Sequence, residues 1–409
     1  MLQVVARVAS GAGAGDDHGF VVLKRGADVR RIPYAFSVER SGLASAPAQP
    51  LKTNQSGDTR TGEDRARVYR WPTAPFGITG LFGVDTAVND DGKEKVYSID
   101  IPQGVVNAGA VITTPALRVG APVEELLGSG ARPHPWFLGS LDENDALGYA
   151  GMPSNANNLM PDFIFNIAAA GVDLPPPGRY YVVVDSGRDP FTGQSRAGRY
   201  VLHSWVNDVK PPKVKLLTTR ISAGRPTIVA KVTDDKAGVD PLSLLLLFRD
   251  LQIGATSWDP KTGIAVFPIP RETSAIQEGS FFARIVASDF EEAKNITDSG
   301  NGNPMPNTQF QGIRVPVREG PTINWVTPGK GECVRKSTKL LVAAASNKLV
   351  SSVGFYDGSR QIGRQRKNVA GIYSLSWRPR RRGAHTLTAV VSDTSGREAR
   401  TSISVRACG

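Results

Sequence analysis

Two Asp-Ser-Gly triplets, 185–187 in YYVVVDSGRD and 298–300 in NITDSGNG, are the first residues whose type and spacing can do chemistry. A pair of such loops can bring two carboxylates together to share one proton, as in an aspartic protease. Only the first has the apolar lead-in that such a motif needs; the second sits in ITDSGNGNPMPN, which reads as loop. The pattern predicts a turn after a strand at 185–187, and no dyad. Nucleophilic catalysis fares no better. The four histidines are His18, His134, His203 and His385, and no Gly-Thr-Ser nucleophile segment follows His18 in DDHGF. His203 and His385 lie in alternating runs beside Trp205 and Leu387, where packing is the expected role. No catalytic residue is assigned, and the chain as given reads as no enzyme.

Acidic turns are the next candidates. TDDKAGVD (233–240), DSGRD (185–189) and ASDFEEAKN (287–295) each place carboxylates close together. Calcium takes about six to eight oxygens, and none of these stretches matches an EF-hand loop. They read as turn formers, so no metal or cofactor is assigned; calcium is the one ion for which donors are at hand.

The net charge of +11 is concentrated: residues 321–409 hold 16 Lys and Arg against four Asp and Glu, which leaves −1 for the rest. Two clusters stand out, RQRK (364–367) and RPRRR (378–382). If both fall in or beside hairpin turns of one sandwich, Arg364, Arg366, Lys367, Arg378, Arg380, Arg381 and Arg382 form a single patch. Such a patch suits an anionic polymer: teichoic acid, acidic polysaccharide, lipid head groups or nucleic acid. No aromatics are interleaved with the arginines, which argues against specific nucleic-acid reading. The alternative is a solvated basic face.

The two cysteines, Cys333 and Cys408, bracket the same segment. A structural zinc wants four ligands at short spacing, so a disulfide between the first and last strands of a terminal domain fits better than a metal site, with two buried thiols as the alternative. A disulfide implies an oxidising, extracellular setting. No apolar run reaches the roughly 18 residues of a membrane span.

The elements that must position these groups are strands. Short alternating runs bounded by Gly, Pro, Asn or Asp recur along the chain, and helical periodicity is almost absent. In GIYSLSWRPRRRGAHTLTAVVSDTSG, Tyr373, Leu375 and Trp377 share one face, as do Leu387, Ala389 and Val391. The fold class is therefore all-β, as tandem Ig-like, fibronectin-III-like or jelly-roll-like sandwiches. Pro-rich joints at 205–216 and 317–333 divide the chain. Expected units are a partial sandwich at 1–45 with strands near 2–8, 19–25 and 32–38, a polar linker at 46–66, and sandwiches at 67–209, 210–319 and 320–409. Three strands cannot bury two faces, so the first unit reads as the end of a larger domain. Trp71, Trp136 and Trp258 are candidates for a sugar-binding platform if exposed.

GFVVLKRGADVRRIPYAF (19–36), GDTRTGEDRARVYRWPTAP (57–75), DENDALGYAGMPSNANNLMPD (142–162) and YYVVVDSGRDPFTGQSRAGRYVLHSWVNDVKPP (180–212) carry a family likeness. In order, they resemble the region after the catalytic domain of secreted subtilisin-like serine peptidases. That resemblance implies a fibronectin-III-like domain, a prepeptidase-C-like sandwich and bacterial Ig-like modules. It implies an upstream catalytic subtilase domain as partner, an extracellular or envelope location, and accessory work: bracing the peptidase, spacing it, or holding substrate or cell wall. The peptidase's own Asp, His and Ser have no counterparts here. A free-standing adhesin or carbohydrate-binding protein is the alternative.

Overall fold

The computed structural model describes residues 5–9, 11–13, 15–38, 41–65, 68–69, 89–90, 92–113, 119, 133–142, 145–149, 168–186, 194–293, 307–335 and 337–408. Among these every regular element longer than one 3-10 turn is a strand. The all-β expectation holds, as an isolated hairpin followed by three two-sheet sandwiches.

The hairpin pairs Gly15–Arg25 with Asp28–Val38 in full antiparallel register. Residues 5–9 are not strand, so the described part of the first unit holds two strands rather than the expected three. Phe20, Val22, Val29 and Ile32 are all exposed on it. A lone two-stranded ribbon buries too little to be stable by itself.

The second unit faces a five-stranded sheet against a four-stranded one. Tyr97, Ile112, Phe137, Val182, Tyr200 and Leu202 fill the space between. The run YYVVV (180–184) has no polar alternation because its strand, Gly178–Asp185, is covered on both faces. Val182 and Val184 face the core, while Val183 packs outward with Leu43, Val96, Trp136 and Leu138. The stretch 46–66, expected as a polar linker, belongs to this sandwich. Gln49–Pro50 pairs in parallel with Lys95–Ile101, and Asn54–Asp58 pairs with Arg199–Val206. Its polarity reflects edge positions, where one strand side meets solvent. Gly57 replaces apolar bulk there, because a Cβ would collide with the Tyr200 ring.

In the third unit, Ile228, Leu246, Phe248, Phe267, Ile285 and Val315 fill a four-on-five sandwich. Of the apolar run at 242–248 only Leu245–Phe248 is strand, with Leu246 and Phe248 inward. In the fourth unit Thr322–Thr327, Thr338–Ala345 and Ile372–Trp377 face a five-stranded sheet built on Val350–Asp357, Gly383–Asp393 and Glu398–Ala407. Tyr373, Trp377, Leu387, Ala389 and Val391 all point into its core, as their alternation predicts. Cys333 and Cys408 form a disulfide with Cα atoms 5.7 Å apart, tying the short strand Cys333–Val334 beside the chain's last strand.

The sandwiches are packed on one another rather than strung on linkers. Val229, Ile264 and Val266 on the outer face of the third unit meet Val326, Ala343 and Ile372 of the fourth. Thr227 Oγ1 donates to the Ala370 carbonyl across this joint at 2.6 Å. At the other joint, Asp208 N donates to Asn107 Oδ1 of the second unit at 2.8 Å, and Asp208 Oδ2 accepts from Ala237 N of the third at 2.8 Å.

Two outcomes check this architecture. Gly57→Ala is expected to destabilise the second unit by about 1–3 kcal/mol in urea unfolding; an unchanged midpoint would mean that 54–58 is not docked. Replacing both cysteines by Ser is expected to cost the fourth unit up to about 4.5 kcal/mol from restored loop-closure entropy, read by the same assay.

Candidate functional site

The sheet register decides where the basic residues go. Asp357 pairs with both Arg360 and Leu387, and Gly383 pairs with Ala407. Thr338 pairs with Trp377, and Cys333 with Arg406. These pairs put the loop 378–382 at one end of the fourth unit together with Arg335, Arg360 and Arg406, all exposed. Gly320, Asn347 and Gly371, at the joint with the third unit, lie at the opposite end. The arginine loop is thus the distal pole of the module.

The single patch expected from RQRK and RPRRR is corrected by the same register. Arg364 pairs with Gly354, four residues along the strand from Arg360 and so about 13 Å from the pole. Arg366 and Lys367 continue away from it toward Ala370, which touches Thr227 of the third unit. What brings Arg335, Arg360 and Arg406 to Arg378, Arg380, Arg381 and Arg382 is strand pairing, which no spacing in the sequence announces.

None of the seven arginines at the pole forms an ion pair with a described residue. The four acids of the unit are engaged internally. Glu332 accepts from Gly329 N at 2.6 Å, and Glu398 from the Ser392 hydroxyl at 2.8 Å. Asp393 accepts from Ser395, Ser346 and Arg397, and hydrogen bonding, that of Ser395 foremost, holds its carboxyl down at about 2. Asp357 sits against His385, whose Nδ1 lies 2.9 Å from one carboxylate oxygen. The other ring nitrogen, Nε2, is 3.0 Å from the Arg381 carbonyl. Both nitrogens of this buried ring are occupied, so it has none open to activate a nucleophile. It works as a clamp: a histidine from the core strand pins the backbone of the arginine loop, with Trp377 edge-on at 5.2 Å.

The acidic turns meet elsewhere. Carboxylate oxygens of Asp208, Asp234 and Asp289 lie within 4.8 Å of one another at the joint between the second and third units. Burial, reinforced by the charge of Asp234, pushes Asp208 above the usual carboxylate range. These are the residues that could hold a cation, yet each already takes a backbone amide: Ala237 on Asp208, Lys236 and Gly238 on Asp234, Glu291 on Asp289. Three carboxylates fall short of a calcium shell. Their shown work is to fasten loops of two units. His203 stacks on Phe290 of the third unit at 4.8 Å in the same joint, and burial lowers it from 6.5 to about 4.

The other candidates separate. Asp185 ends a strand and takes Ser186 N at 2.6 Å, while the Ser186 hydroxyl donates to the Lys93 carbonyl. The second triplet, 298–300, lies outside the described residues, as does Trp71. Trp136 is core, and Trp258 packs against the third unit's core with Nε1 3.3 Å from the Val232 carbonyl. Trp136 is thereby closed to a sugar, and Trp258 is half-buried. Among the described residues no helix is long and apolar enough to cross a membrane.

Residues 321–389 match the bacterial Ig domain family. No curated protein matches the chain. Among solved structures, the fibronectin(III)-like modules of Clostridium thermocellum CbhA are 24% identical, over 21% of this chain and 94% of that one, with a TM-score of 0.19. Dimeric latent PorU from Porphyromonas gingivalis is 12% identical over 74% of this chain and 30% of its own length, with a TM-score of 0.29. SGBP-B of the Bacteroides ovatus mixed-linkage glucan utilization locus, solved in complex with a mixed-linkage heptasaccharide, is 14% identical over 52% of this chain and 50% of that one, with a TM-score of 0.21. The chain contains tandem Ig-like sandwich modules; likenesses this distant carry nothing further.

The joint has a defined pH response. A histidine whose folded value lies below its unfolded one stabilises fully above 6.5, and that share is lost as pH falls toward about 4. Asp208, raised by burial, acts in the opposite sense: its contribution is present in acid and lost as pH rises through its raised value. Thermal stability is expected to fall between pH 6.5 and about 4 in the parent, and His203→Phe to flatten that window. An equal slope in the variant would contradict the assignment.

Proposed function

We propose that this chain is a non-catalytic, exported binding and spacing region, whose distal basic pole holds an anionic polymer of the cell envelope or of a substrate. The observation that carries the reading is the pole: seven exposed arginines at the end of the fourth sandwich away from its joint with the third, with every acid of that unit engaged internally. The packed joints support the spacing role, since a stiff array holds its end at a fixed distance. The disulfide and the bacterial Ig domain match support export. The resemblance noted in the sequence would put such an array behind a subtilisin-like serine peptidase, which it would brace and keep near its substrate. In that setting the exposed hairpin Gly15–Val38 would pack against the upstream part of the protein. The alternative, a free-standing adhesin or carbohydrate-binding protein, draws support from the polar outer sheet face of the fourth unit.

The test of the pole is binding of the full chain to polyglutamate across a salt series. Affinity is expected to fall steeply from low salt to about 300 mM. Changing Arg378, Arg380, Arg381 and Arg382 together to Ser is expected to weaken low-salt binding at least about tenfold. Salt-insensitive binding, or an unaffected variant, would overturn the reading. The peptidase setting is tested separately by the intact mass of the native secreted protein: a far larger species active on casein supports it, and an inert species of this chain's size favours the alternative.

A further inference from the structure

We infer that the outer face of the fourth unit's five-stranded sheet carries a second site, a groove for an acidic glycan; this rests on the anion-binding reading above and assigns it a ligand class. The register aligns four residues in one row across four strands. Gly354 pairs with Arg364 on one side and Val390 on the other, and Val390 pairs with Arg400. Paired residues share a face, and this face points away from the core, which takes Val353, Phe355, Ala389 and Val391 instead. Two short residues flanked by two arginines make a trough whose Cα span is about 14 Å, three strand spacings. The groove has a volume of about 350 Å³, with Tyr356, Thr388 and Ser392 among its walls.

The chemistry of the walls is mixed in a way that suits a sugar acid better than a bare polyanion. Arg364 spends its Nε–H on Ser352 Oγ at 3.0 Å, which fixes its stem and leaves its terminal amines for a ligand. Arg400 forms no ion pair among the described residues. Planar guanidinium groups match carboxylate and phosphate oxygens bidentately. Glu398, beside the trough, accepts the Ser392 hydroxyl at 2.8 Å and keeps a carboxylate within reach of sugar hydroxyls. A site for anions alone gains nothing from that carboxylate. The Tyr356 ring lies along Gly354, where an added Cβ would stand 3.1 Å from its Cε2, so the missing side chain is what lets the ring settle low over the sheet. A ring so placed offers an apolar surface for the C–H face of a sugar.

The acid can be a uronate carboxylate or a phosphodiester, and the probes separate the two. Titration calorimetry of the full chain at about 150 mM salt uses polygalacturonate, phosphomannan and, as a sugar-free polyanion, polyglutamate. At least one acidic glycan is expected to bind; which one identifies the acid. Joint replacement of Arg364 and Arg400 by Ala is expected to weaken that binding about tenfold. Tyr356→Ala is expected to weaken glycan but not polyglutamate binding, and Tyr356→Phe to preserve both, which separates ring contact from misfolding. The inference is overturned if neither glycan binds the parent, if the arginine pair changes glycan affinity less than about threefold, or if Tyr356→Ala lowers both ligands alike. The quadruple Ser variant of the pole keeps the two readings apart: loss of polyglutamate there, with glycan binding indifferent to the groove variants, leaves the pole standing and removes the groove.

Discussion

A buried carboxylate at a module joint sets how this molecule can work. Asp208 ends the second unit and is 2% exposed. Its amide donates to Asn107, its carbonyl accepts from Asn107 and Asn307, and its side chain accepts from Ala237. A carboxylate in that position is costly to bury, and losing any partner would leave a polar group unsatisfied. The joint therefore persists only with the second unit, the connecting segment and two loops of the third in register. The third and fourth units reach the same end by apolar means, through Val229, Ile264 and Val266 against Val326 and Ala343. The result is a stacked array whose far end is held in place, not a set of modules on tethers.

From that array the charge distribution follows. The fourth unit spends its few acids on its own turns. Asp393 organises the 393–397 turn and draws in Ser346, and Arg397 in turn reaches Asn347, which also caps Gly320 at the joint. Asp357 and His385 pin the arginine loop from beneath. With acids committed to structure, the surplus of arginine faces solvent at the pole and on the outer sheet face. Structural economy and the exposed surplus of arginine are thus the same fact seen from two sides.

Much of this was legible in the sequence, and the misses have physical causes. Alternation predicted the inward sets Tyr373, Leu375, Trp377 and Leu387, Ala389, Val391, because these strands bury a single face. It said little about 49–58, because edge strands need few large apolar residues and Gly57 packs by lacking a side chain. The disulfide could be expected from two cysteines bracketing one charge-distinct segment. The grouping of basic residues could not: RQRK and RPRRR are close in sequence yet separated by a strand's length, while Arg335, Arg360 and Arg406 are distant in sequence and meet at the pole. Likewise the acidic turns around Asp234 and Asp289 read as separate loops, and only the fold brings them to Asp208.

Differential scanning calorimetry of the full chain, with Val326→Ser as comparison, tests the central claim that the sandwiches are joined by packed interfaces. The account predicts that the third and fourth units melt together in the parent, and that the variant splits this into two transitions with the lower one displaced downward. Separate transitions in the parent, unmoved by the substitution, would contradict it and return the chain to independent modules on linkers.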